Sequence, residues 1–100
     1  MDYVAELHKP SVVCYGSKED AETGTAIWLA WGLIKNDKST HGNHPFRDGL
    51  EIRTSPVEKI ADVDGVQYII TRNPTYKVVG DIDYVGAEFK ARDLLDSRAR

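Results

Sequence analysis

LEIRTSPVEKIADVDGVQYIITRNPTYKVVG, residues Leu50–Gly80, is the stretch whose reading decides the fold. Two apolar segments, Val57–Val63 and Val66–Thr71, flank Asp64-Gly65. Glycine takes a positive φ without steric cost and aspartate tolerates one through local hydrogen bonds, so this dipeptide fits a two-residue hairpin turn. Asn73-Pro74 then separates Val66–Thr71 from Thr75–Val79, where Tyr76 and Val78 share a strand face. The stretch reads as an antiparallel meander, with Ile52, Val57, Val66, Tyr68, Ile70, Tyr76 and Val78 directed into the core.

Working upstream, Leu50–Thr54 is a further strand, with Leu50 and Ile52 facing in and Glu51 and Arg53 out. Asp37–Gly49 is a long polar loop. Thr25–Asn36 satisfies two patterns. Its length allows a helix, but Ile27, Leu29, Trp31 and Leu33 alternate with Ala26, Trp28, Ala30 and Gly32, and Gly32 disfavours a helix interior. The strand is preferred. In the acidic segment Gly16–Gly24, Ser17 and Asp20 have capping-box spacing, and Gly24 interrupts any helix started there. The N-terminal part is extended, Val4–Leu7 and Ser11–Tyr15, with a break at Lys9-Pro10 because proline cannot donate a ladder hydrogen bond.

After Gly80 the apolar period changes. Tyr84, Ala87, Ala91, Leu94 and Leu95 fall on one helical face, with Asp83 as N-cap, Glu88 and Arg92 as an i,i+4 pair, and Arg98 and Arg100 at the C-terminal end. The predicted fold is α+β. It is one domain over residues 1–100, a small antiparallel sheet or partly open barrel of five to six strands with a C-terminal α-helix.

With 100 residues and 41% apolar content the chain can bury one core. Thirteen Lys/Arg against sixteen Asp/Glu are well mixed, without the basic concentration that phosphate binding needs. A lone cysteine, Cys14, excludes an intramolecular disulfide and suits a reducing compartment. The first residues lack the basic and apolar regions of a signal peptide, and the longest apolar run, Ala26–Ile34, is too short to span a bilayer. The expected location is therefore the cytoplasm, with no membrane partner.

Few residues invite chemistry. His41 and His44, near Asp37 and Asp48, have the ligand types of a divalent-metal site, but Gly42 and Pro45 mark a solvated loop and no metal or other cofactor is assigned. Nothing pairs Cys14 with a histidine across Pro10, so it reads as a structural thiol. No Gly-rich phosphate loop and no nucleophile–base pair is present, so no catalytic residue is assigned and the chain is read as non-enzymatic. Trp28 and Trp31, three apart, face opposite sides of a strand; burial of both is the preferred reading, and an exposed one would mark a binding patch. The partner-binding candidates are His44, Phe46, Arg47, Arg53 and Trp28. In the loop, Phe46 would anchor in a partner's pocket while Arg47 bonds an acidic surface. The alternative function is a small nucleic-acid-binding regulator, with Lys35, Lys38, Arg47 and Arg53 around the loop and Tyr68 and Tyr76 stacking bases.

Phe46-Arg47-Asp48-Gly49-Leu50-Glu51-Ile52-Arg53-Thr54-Ser55-Pro56-Val57, followed by Thr71-Arg72-Asn73-Pro74-Thr75-Tyr76, resembles a pattern in small phage and prophage accessory proteins. The resemblance covers roughly residues 30–80 and assigns no site. Such proteins commonly disable host defences, CRISPR systems among them, by binding and blocking a protein. The resemblance thus implies an anti-CRISPR-type inhibitor acting on a host protein complex in the host cytoplasm; the domain itself is expected to be monomeric or weakly dimeric.

Overall fold

The computed structural model describes residues 2–16, 18–23, 26–38, 47–72 and 74–85. Its strands are β1 (Ala5–Tyr15), β2 (Ile27–Lys35), β3 (Leu50–Arg53), β4 (Val57–Val63), β5 (Val66–Thr71), β6 (Thr75–Val79) and β7 (Asp83–Val85). A six-residue helix, α1 (Lys18–Thr23), links β1 to β2 and stops before Gly24. The strands form one sheet in the order β3-β2-β1-β6-β5-β4, with β7 also paired to β1.

The meander forms where the turn chemistry demands. Asp64 (φ 52°) and Gly65 (φ 81°) both adopt the left-handed conformation that a tight hairpin between β4 and β5 requires. At the next turn Thr71 donates twice to the Pro74 carbonyl, from its backbone N–H (3.1 Å) and from its hydroxyl (2.7 Å). Ile27–Lys35 is a strand, as the alternation of large and small residues predicts.

The α+β expectation is overturned: apart from the short α1, the described residues are all-β, and their seven-stranded sheet is mixed. Its centre is a parallel seam, Ala5–His8 of β1 against Tyr76–Val79 of β6. Asp83 does not cap a helix; Asp83–Val85 runs parallel to Ser11–Val13 as β7. The reason lies in β1, which extends beyond the end of β6 and would leave the backbone of Ser11–Val13 unpaired on that side. A strand satisfies those groups, and that outweighs the helical period. The remaining predicted helix residues, from Ala87 onward, lie outside the described residues.

The expected break at Lys9-Pro10 is likewise a bulge within one strand. The register of β1 on β2 shifts between His8 and Ser11, and Lys9 takes φ 49°. Gly80 sits opposite, with Lys9 its nearest non-neighbour, so β1 and the β6–β7 segment jog together. Pro10 is tolerated because its missing N–H falls in the bulge, where no ladder bond is required.

One face of the sheet carries the core. Leu7, Val12, Trp28, Ala30 and Ile34 from β1 and β2 pack in one cluster with Val57, Ile60, Ile69, Tyr76 and Val78 from the other end. Both ends of the sheet share this core, so the inner face curls on itself. Thr54 helps close the curl: its N–H donates to the Ala30 carbonyl (2.9 Å), and its hydroxyl accepts from the Ala30 N–H (3.1 Å). Of the predicted core residues, Ile52, Val57, Tyr68, Tyr76 and Val78 are buried, whereas Val66 and Ile70 are half-buried. Burial raises the Tyr76 phenol above its ordinary value, with Asp37 adding to the effect.

Gly32 marks the closest approach across β1 and β2. A Cβ placed there would lie 2.8 Å from Leu7 Cγ and 3.3 Å from the His8 carbonyl oxygen. Leu7 has no exposed surface and nowhere to retreat. Gly32→Val should therefore destabilise the fold by about 1–3 kcal/mol despite valine's better strand propensity. Denaturant melts would measure the cost, and adding Leu7→Ala should make the pair less damaging than the sum of the two changes.

Candidate protein-interaction surface

Residues opposite one another in a sheet share a face, so the register assigns the outer face directly. Leu33 of β2 lies opposite His8 of β1, Trp31 opposite Ser11, Leu29 opposite Val13, and Ile27 opposite Tyr15. Val85 of β7 extends the row of Leu29 and Val13. This side of β2 holds its large apolar residues, while the small ones, Ala26, Ala30 and Gly32, are buried inside together with Trp28 and Ile34. Tyr15 is 48% and Ile27 53% exposed, and Leu33 and Val85 are also exposed. The result is a contiguous apolar patch of the kind that marks an interaction site.

Four polar contacts organise it. The Trp31 indole N–H donates to the Tyr15 hydroxyl (3.1 Å). That bond spans the Leu29–Val13 pair and explains why both are half-buried. The Arg53 guanidinium lies 5.8 Å from the Trp31 ring centroid, since Arg53 is opposite Trp31 on β3. At the upper margin His8 Nε2 meets Glu6 Oε1 (3.0 Å), and Asn36 Nδ2 donates to the same oxygen (3.2 Å). The His8 hydrogen bond holds the Glu6 carboxyl below its ordinary range, and partial desolvation opposes that shift. Beside Ile27, a recess of about 550 Å³ opens between β2 and β4, bounded by Val57, Glu58 and Arg72.

The sequence candidates divide. Arg53 belongs to the patch. Trp28 does not: it is 1% exposed and lies in the core, and Trp31, half-buried, is the tryptophan on the outer face. Arg47 is exposed at the foot of β3, where its carbonyl accepts from the Leu50 N–H (3.2 Å), and Asp48 Oδ1 accepts from the Asn36 N–H (2.8 Å). His41, His44 and Phe46 lie outside the described residues. The residues that sequence reasoning missed are Tyr15, Ile27, Leu29, Leu33 and Val85. The alternation in β2 separates its two faces but does not say which of them is buried.

Tyr68 and Tyr76 do not form a base-stacking pair. Tyr76 stands opposite Ile69 on the inner face and Tyr68 opposite Lys77 on the outer face, and both are buried. Tyr3 covers Tyr68 with ring centroids 6.1 Å apart, and Lys38 and Lys77 lie over the Tyr3 ring at 4.8 and 5.8 Å. Cys14 is buried in the core. Among the described residues no three His, Cys, Asp or Glu side chains converge on a metal position, and no helix is long and apolar enough to cross a membrane.

No family model, no curated protein and no solved structure matches this chain.

Proposed function

We propose that this chain is a non-enzymatic protein-binding module that uses the outer face of β1 and β2 as its contact surface. The observation that carries the reading is the Tyr15–Trp31–Arg53 constellation set in exposed apolar surface. Trp, Tyr and Arg supply most interface hot spots, and here the three hold one another in place before a partner arrives. The protein that fits offers an apolar ridge for Leu33, Leu29 and Ile27, with an acidic group to meet Arg53. The phage-like segments give the class of partner in this reading, a host defence complex met in the host cytoplasm.

The test is capture of partner proteins from host lysate by the tagged chain and by its Trp31→Ala/Arg53→Ala variant. One protein retained by the wild type should bind the variant at least tenfold more weakly, about 1.4 kcal/mol, with the melting temperature unchanged. Equal retention by both would remove this surface from the proposal. A chain that retains no protein would end the protein-binding reading.

A further inference from the structure

We infer that the outer face of β2, β1 and β7 is self-complementary and joins two copies of this chain about a two-fold axis running along the strands. The inference rests on the reading of this face as a protein-binding surface and names a second copy as its occupant. Four residues stand in one row across the strands. Arg53 is opposite Trp31, Trp31 opposite Ser11, and Ser11 opposite Asp83. The row therefore has a cation at one end and an anion at the other, about 14 Å apart at about 4.8 Å per strand. Both are exposed, and neither has an oppositely charged partner among the described residues. The neighbouring row, Leu29–Val13–Val85, is apolar throughout, and the next pairs Ile27 with Tyr15.

An isologous interface requires a surface that fits itself. When a second copy is laid face to face and turned by half a revolution about an axis parallel to the strands, each row meets its own reverse. Arg53 then faces Asp83 of the second copy, and the symmetry repeats the contact at the other margin. Between the two charge pairs, Leu29 meets Val13 of the second copy, Ile27 meets Tyr15, and Trp31 lies over Ser11. Apolar burial supplies the affinity, and the two rim pairs set the orientation. Three strand spacings by six residues is about 14 by 20 Å, which is small beside the roughly 800 Å² per partner of a tight complex. The dimer should therefore be weak and weaken further as salt screens its rim. Any other protein that binds this face competes with the second copy.

Sedimentation of the full chain across a concentration series reads the association directly. The wild type should move from one chain to two. Arg53→Asp and Asp83→Arg should each weaken association more than tenfold, because each places two like-charge contacts in the dimer. An equal mixture of these two variants should associate more tightly than either alone, since one of its contacts is native and the other inverted. Should a charge variant lose its fold, Leu29→Glu, which faces Val13 of the second copy, provides the same disruption. A wild type that stays monomeric throughout, or variants that associate as well as the wild type, would overturn the inference. So would a mixture no tighter than its components. A strictly monomeric chain that still retains a partner through Trp31 would overturn the dimer and leave the protein-binding reading standing.

Discussion

Trp28→Ala should cost about 3–5 kcal/mol, the range for removing a buried large aromatic, and should leave much of the chain unfolded at physiological temperature. Trp28 is the largest fully buried side chain and sits where the curled sheet brings β2 and β4 together. Its removal opens a void between elements that are rigidly tied by backbone ladders, so the site can collapse only partly. Trp31→Ala, three residues on, should cost far less because its ring lies on the outer face. Thermal melts of the two variants provide the check, and similar losses would show that the two faces of β2 have been exchanged. Trp28→Phe should lie between Trp28→Ala and the wild type. It loses ring volume but also deletes an indole N–H that is buried with no hydrogen-bond partner among the described residues.

Ile69→Ala should cost about 2–5 kcal/mol, and Ile70→Ala clearly less. Ile69 has no exposed surface and lies between Ile60 of β4 and Tyr76 of β6 on the inner face. Ile70 is half-buried on the outer face, opposite Lys59. Denaturant unfolding of both variants separates the two sides of β5, and a larger loss at Ile70 would contradict the register.

That pair shows where the sequence was ambiguous. In Val66–Thr71 apolar residues occupy both faces, so alternation picks out Val66, Tyr68 and Ile70 as readily as the true inner residue Ile69. Tyr68 is indeed buried, but beneath Tyr3, a contact between residues 65 positions apart that no local pattern reveals. By contrast, Asp64-Gly65 and Asn73-Pro74 impose backbone geometry locally, and the strands around them lie where the turn chemistry puts them. The parallel seam was invisible for the same reason as the Tyr3 contact. Pairing of β1 with β6 and β7 depends on an edge left open elsewhere in the sheet, and the period of Asp83–Val85 carries no trace of it. At the surface, the chemistry of Arg53 was legible, but which tryptophan joined it was not. The alternation in Ile27–Lys35 separates two faces, but both carry large apolar residues, so it does not tell which face is buried. The tight approach of β1 requires a small residue only at Gly32, while Trp28 and Ile34 fill the rest of the inner side.

The parallel seam also sets an order of assembly. β4, β5 and β6 are joined by short turns and can zip as a local unit, and β1 and β2 form a second unit across α1. Nothing unites them until the first strand of the chain finds nearly its last, Ala5 beside Tyr76 and Val12 beside Tyr84. Closing so large a loop is entropically costly and is repaid only at the end, so the seam is the slow step of folding. During synthesis, therefore, the future centre of the sheet has a bare edge on β1 until residues beyond Val79 leave the ribosome. In that interval the nascent chain is most open to pairing with a neighbour of its own kind.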